Sequence, residues 1–348
     1  MDTASQPVQL GPSTPSLVHF SGNSKDFFGI WIVNLLLSIV TLGIYSAWAT
    51  VRTKQYFFSN THIDKHRFEY LATPIQIFKG RIIASILLVI YLFFTHYFPL
   101  VGAVLAVMIT FLAPWLINQS FRFNMRMTRF RNVRFNFKGS YGGACKVFLL
   151  MPILCVFTMY LLLPWTLKKM DEYLLTNIKF GDKQFSAKLS TSKYLSALLI
   201  TLLSSFAVIP LFIAGLFVAG SNVEDSPKVL MTLIPAYIAC MYLLKAIYQA
   251  IIRNHVFNSA EIKDIAQFHS NLSVTRFAIV EVTNILAIGL TLGLAYPWAK
   301  IRKTKVLAEA TAVTLMPAAK DIIDTMDSTE SSLGDEASNL FDVDVSLT

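Results

Sequence analysis

The chain has 348 residues, 54% of them hydrophobic and 13% aromatic, with charged residues at only 15% and a mean hydropathy of +0.54. A soluble domain carries about 25% charged residues, so this composition excludes an ordinary soluble domain and predicts a membrane protein. The formal charge is +9, yet residues 306–348 hold nine acids against Lys320 alone, a charge of −8 that leaves +17 on the rest.

Residues 1–17 are rich in Ser, Pro, Thr and Gln and carry no base, unlike a secretory signal with its basic start; a disordered, uncleaved start is expected. Seven stretches then approach the roughly 20 apolar residues that a membrane span needs: 29–49, 81–98, 100–119, 147–167, 194–220, 229–252 and 277–299. The second and third, and the fifth and sixth, are separated so briefly that each pair reads as a helical hairpin, Pro99 lying in the first turn. Residues 306–348 are expected to be a flexible acidic tail, with a single helix or a partner-binding motif around Leu340, Phe341 and Val343 as the alternative.

Cytoplasmic loops carry the excess of Lys and Arg. Seven crossings would place 18 bases inside and 10 outside. If stretches one, four and seven instead enter and leave on the cytoplasmic side, 27 lie inside and only Lys228 outside. The second arrangement, with both termini cytoplasmic, is preferred.

The chain also resembles itself. Phe20, Thr41, Trp48, Arg52, Asn60 and Phe68 recur 117 residues on as Phe137, Thr158, Trp165, Lys169, Asn177 and Phe185. Asn34, Thr41-Leu42-Gly43, Trp48-Ala49 and Arg52 recur 250 residues on as Asn284, Thr291-Leu292-Gly293, Trp298-Ala299 and Arg302. The pattern is A-B-A-B-A, a Gly- and Trp-marked stretch alternating with a polar segment and a hairpin. Equivalent loops are both basic, which argues for parallel repeats with an even number of crossings rather than the inverted repeats of many transporters. Period-two alternation at Val133, Phe135 and Phe137, and around Ile178 and Phe180, predicts short strands.

The expected fold class is therefore an all-α polytopic membrane protein with tandem internal repeats, two transmembrane helical hairpins, three Gly/Trp-marked apolar segments and a few short cytosolic strands. Its expected divisions are 1–17, repeat one at 18–136, repeat two at 137–267, a third half-repeat at 268–305 and the tail at 306–348.

Phe20-Ser21-Gly22, Asn34, Thr41-Leu42-Gly43-Ile44-Tyr45, Trp48-Ala49, Arg52, Tyr56 and Asn60-Thr61 through Phe68 resemble the pattern of the YjgN-like family of bacterial multi-pass inner-membrane proteins. The third copy carries it again, and the resemblance covers about residues 18–310. The middle copy departs, with Met151 at the Asn position and Met159-Tyr160 for Leu-Gly. The resemblance implies a bacterial inner-membrane location and no particular activity, substrate or catalytic residue.

Gly inside an apolar helix pattern costs about 1 kcal/mol relative to Ala. Thr41, Gly43, Thr291 and Gly293 thus mark either broken helices lining a polar cavity or close helix packing through small residues. Asn34, Asn284 and Glu281, polar groups within apolar stretches, are candidates for a solute pathway; the alternatives are interhelical hydrogen bonds and an interfacial Glu281. The run containing Arg122, Arg126, Arg129, Arg131 and Arg134, together with Arg52 and Arg302, is read as contacting anionic lipid headgroups rather than nucleic acid. Trp48, Trp115, Trp165 and Trp298 close apolar stretches just before bases, the position of interfacial anchors.

His62 and His66 lie outside a helical pattern and make no metal pair, the three cysteines lack paired spacing, and no HExxH, GxSxG or Gly-rich phosphate loop occurs. No catalysis, cofactor or metal is expected. The leading functional expectation is a transporter or channel-like protein for a small polar solute or ion. The alternative is a non-transporting scaffold or lipid-binding protein that recruits partners through its basic loops and acidic tail.

Overall fold

The computed structural model describes residues 15–219, 226–316 and 319. Residues 1–14 and nearly all of the acidic tail, including Leu340, Phe341 and Val343, lie outside the described residues.

Ten antiparallel strands close into a barrel in the spatial order β1-β10-β9-β8-β7-β6-β5-β4-β3-β2. Six have five residues: β1 (Ser16–Phe20), β3 (His66–Tyr70), β5 (Val133–Phe137), β7 (Lys183–Ala187), β9 (Ala266–Ser270) and β10 (Thr311–Leu315). Four have three: β2 (Thr61–Ile63), β4 (Thr128–Phe130), β6 (Ile178–Phe180) and β8 (Ala260–Ile262). This barrel overturns the all-α expectation. Every described unit of the chain is tied into one sheet, and the few predicted strands are parts of it.

Between successive strand pairs the chain leaves the barrel as a helical hairpin and returns. The first hairpin is α1 (Ser24–Val40) with α2 (Ser46–Ser59), and the second is α3 (Pro74–Tyr97) with α4 (Pro99–Arg126). The third has an outgoing limb of α5 (Tyr141–Cys145), a π-helical turn at Lys146–Leu150 and α6 (Met151–Phe157), and returns as α7 (Leu163–Thr176). The fourth is α8 (Thr191–Ala219) with α9 (Ser226–Ser259), and the fifth is α10 (Val274–Leu290) with α11 (Tyr296–Glu309). Three short hairpins thus alternate with two long ones, and neighbours pack in a ring through α1 on α11, α10 on α9, α8 on α7, α5 on α4 and α3 on α2.

Local chemistry explains the strand turns. Arg131 and Asn132 both adopt positive φ, 47° and 64°, as a two-residue hairpin turn that matches strand twist requires; each of the other three turns carries one positive-φ residue, Asp64, Gly181 or Asp264. All five hairpins leave one rim of the barrel, where Phe20 faces Thr61 and Tyr70 faces Thr128. The turns and both described chain ends occupy the opposite rim. Alternation sends Phe68, Phe135, Phe185 and Phe268 into one apolar cluster with Phe130 and Phe180, where Phe185 and Phe268 stack with centroids 5.6 Å apart. Arg129 and Glu69 pair on neighbouring strands at 2.5 Å. Met316 and Ala319 pack against the same cluster.

Two of the expected divisions fall within strands. The line at 136/137 cuts β5 and that at 267/268 cuts β9. The acidic segment begins with the end of α11 and an acid-free strand, β10.

Candidate functional site

The Thr-Leu-Gly steps sit at the tips of the first and fifth hairpins. Gly43 Nα donates to Ser38 O at 2.7 Å and Gly293 Nα to Ile288 O at 2.8 Å, six-residue closures of the kind that end helices through a left-handed residue. Thr41 Oγ1 donates to Leu37 O at 2.7 Å and accepts from Tyr45 Nα at 2.9 Å; Thr291 does the same with Ala287 O and Ala295 Nα. Gly43 and Gly293 have φ of +91° and +94°, and a Cβ on either would meet nothing within 4 Å. The glycines therefore serve backbone conformation rather than close packing, and the break satisfies much of its own hydrogen bonding. In the third hairpin Met159 and Tyr160 adopt φ of 48° and 65°, so the same turn forms without Gly. The tips are apolar and open: Leu42 and Leu292 are each 95% exposed.

The two asparagines bind the returning helix of their own hairpin. Asn284 Nδ2 donates to Ala299 O at 3.0 Å, and its Oδ1 accepts from Arg302 at 3.2 Å. Asn34 Nδ2 reaches Ala49 O at 3.5 Å, but its buried Oδ1 has no partner. Arg52, the counterpart of Arg302, instead donates to Tyr45 Oη at 3.1 Å. Glu281, 5% exposed, faces Lys303 Nζ at 2.6 Å in an ion pair.

The basic run divides between the two ends of the barrel. Arg122, in the last turns of α4, donates to Gly139 O at 2.8 Å, and Arg126 ends that helix. Arg129 pairs with Glu69, Arg131 lies in the turn at the rim opposite the helices, and Arg134 lies on β5. The five bases consequently do not share one surface level, because a five-residue strand separates the rims by roughly 16 Å.

The tryptophans do share a level. Trp48, Trp115, Trp165 and Trp298 each precede the following strand by thirteen residues, which places all four about 20 Å of helix above the barrel. At this height Trp48 packs on Tyr45 and Phe78, and Arg302 lies 5.1 Å over Trp298.

Among the described residues, several cavities open between hairpins. One of about 510 Å³ lies between the first hairpin and α11 and is lined by Asn34, Ser46, Thr50, Lys54, Tyr296 and Lys300 among others. Another of about 420 Å³ brings Asp171, Tyr248, Gln249, Arg253 and Lys303 together. Burial pushes the Asp171 carboxyl above its usual range, partly countered by the hydrogen bond from Tyr194 Oη at 2.5 Å. Burial likewise lowers the Lys54 ammonium, which donates to Asn124 Oδ1 and Tyr70 Oη. Among the described residues no three His, Cys, Asp or Glu side chains group as a metal site. Sequence reasoning missed Lys54, Asp171, Lys300 and Lys303. Their signal was faint, since a lysine beside an apolar stretch reads equally as an interfacial charge.

Three described helices are long and apolar enough to cross a membrane, Pro74–Tyr97, Pro99–Arg126 and Pro235–Ser259. The sequence profile of a family described as "Bacterial protein of unknown function (DUF898)" matches residues 15–340. The chain is 24% identical to the inner membrane protein YjgN of Salmonella typhimurium, over 84% of this chain and 87% of that protein. It is 33% identical over 141 residues to the protein of the same name from Escherichia coli O157:H7, covering 39% of this chain and 34% of the relative. No solved structure matches.

Proposed function

The chain belongs to the DUF898 family of bacterial proteins, and on that premise we propose that it is an inner-membrane protein whose barrel sits against one leaflet and which engages anionic phospholipid headgroups. The observation that carries this reading is the common height of the four tryptophans. Taken as the interfacial belt, that level leaves sixteen residues between Trp115 and Pro99, about 24 Å of helix, close to the roughly 30 Å hydrocarbon thickness. It leaves only six between Trp48 and Leu42, about 9 Å, the depth at which amphipathic elements lie within one leaflet. The long hairpins then cross and return while the short ones dip and return. The alternating units are read as a duplicated β-hairpin-β module in A-B-A-B-A order, with the barrel and both described chain ends on the cytoplasmic side.

The test is topology. Single cysteines at Ser24, Ser186 and Tyr97, in a cysteine-free background, are treated with a membrane-impermeant thiol reagent in intact cells. Labelling at position 97 alone is expected, and labelling at 24 or 186 would overturn the arrangement. Passage of a small polar solute is the second reading. It is favoured by the cavity joining Asp171, Arg253 and Lys303 beside the Glu281 pair, and a change in solute flux on substituting Asn34, Glu281 or Asn284 would support it.

A further inference from the structure

The first and fifth hairpins are built alike but differ in one polar atom. In the fifth, Arg302 completes the Asn284 carboxamide. In the first, the Tyr45 hydroxyl holds Arg52 at 3.1 Å, and the residue 250 positions after Tyr45 is Ala295, which has no hydroxyl to offer. Asn34 Oδ1 is thereby left without a donor although Asn34 is only 5% exposed. A buried acceptor left unmade is costly and calls for a partner, and Asn34 lines the 510 Å³ cavity.

The rest of that cavity selects for an anion. Its lining includes Lys54 and Lys300 and no acid. The Lys300 ammonium lies 4.7 Å over Phe57 and 5.6 Å over both Phe27 and Tyr296, and no carboxylate pairs with it among the described residues. Thr50 Oγ1 already donates to Ser46 O. Arg81 donates to Ser46 Oγ and Thr50 Oγ1, which leaves the Ser46 proton free to point at an incoming oxygen. Asn34 lies fourteen residues beyond β1 and Thr50 eleven before β2, so the cavity stands within a helical turn or two of the tryptophan level.

We propose that this cavity binds a phosphate ester carrying a free hydroxyl, the chemistry of a glycerol phospholipid headgroup, with phosphate at Lys300 and Ser46 and the hydroxyl donating to Asn34 Oδ1. An ammonium headgroup would meet two lysines and is rejected by like charge. This inference rests on the headgroup reading above and gives it a place.

The full-length protein in detergent is titrated with dioctanoyl phosphatidylglycerol, the corresponding phosphatidylmethanol and phosphatidylethanolamine, and soluble glycerol 3-phosphate, with binding read by calorimetry. One saturable phosphatidylglycerol site is expected, with phosphatidylmethanol, which keeps the charge but lacks the hydroxyl, about tenfold weaker. Asn34→Leu and Lys300→Met should each weaken it at least as much, whereas Asn284→Leu should leave it unchanged. Tyr45→Phe, outside the cavity lining, frees Arg52 to occupy Asn34 Oδ1 and should also weaken binding without disturbing the core. Equal binding of phosphatidylmethanol, or no effect of both Asn34→Leu and Tyr45→Phe, would overturn the proposal. Glycerol 3-phosphate binding as tightly as the lipid would support the chemistry and assign the site to a soluble ester. Position-97-only labelling combined with headgroup-blind binding would sink this site and spare the topology.

Discussion

Gly43→Ala and Gly293→Ala separate three accounts of the Thr-Leu-Gly steps by the sign and size of one number. Inside a continuous helix, replacing Gly by Ala stabilises by about 1 kcal/mol. At a tight helix crossing it would be destabilising through a clash. The observed geometry has φ of +91° and +94° and open space around the Cβ position. No clash is expected, but an L-residue in left-handed backbone costs about 1–2 kcal/mol, offset by about 0.4–1 kcal/mol of lost unfolded-state freedom. The net expectation is a loss of about 1 kcal/mol per site, roughly 2 °C in Tm for a chain of this size. The two losses should add, because the sites occupy different hairpin tips. Tyr160, which takes the same position with φ 65°, should show the converse, Tyr160→Gly gaining about 0.5 kcal/mol once strain relief is set against chain entropy. The assay is thermal unfolding in detergent followed by tryptophan fluorescence. A rise in Tm for either glycine variant would refute the turn account.

Lys303→Met should cost about 3 kcal/mol, because it leaves the buried Glu281 carboxylate unpaired. Glu281→Gln should cost only about 1 kcal/mol, since the Lys303 side chain is 35% exposed and its ammonium keeps access to water. Equal losses in unfolding midpoint would show that the pair is not desolvated on the carboxylate side. For Asp171, a folded pKa raised by burial means that the folded state holds its proton more tightly than the unfolded chain. The native state is accordingly favoured at pH below the ordinary carboxylate value and loses that advantage as pH rises through the folded value. Asp171→Asn should flatten this fall and be the more stable form at neutral pH, read from Tm measured across the acid range.

Hydropathy and charge alone pointed to the membrane class and the helical hairpin at 81–119, because span length is a local property of the chain, while the Thr-Leu-Gly steps at Thr41 and Thr291 stayed open between a helix break and close packing. The offset of 250 residues likewise relates Asn34 to Asn284 within the sequence itself. Barrel closure was not legible. β1 pairs with β10 nearly 300 residues away, and strands such as β4 and β8 have only three residues, too short for a period of two to register there. The common height of the four tryptophans was present in their spacing, yet it carried meaning only once each following strand had a defined start. The open Asn34 oxygen depended on something further removed from local pattern: whether one guanidinium chose a carboxamide or a tyrosine hydroxyl. That choice is set by side chains brought together by the hairpin turn, so only the tertiary structure could decide it.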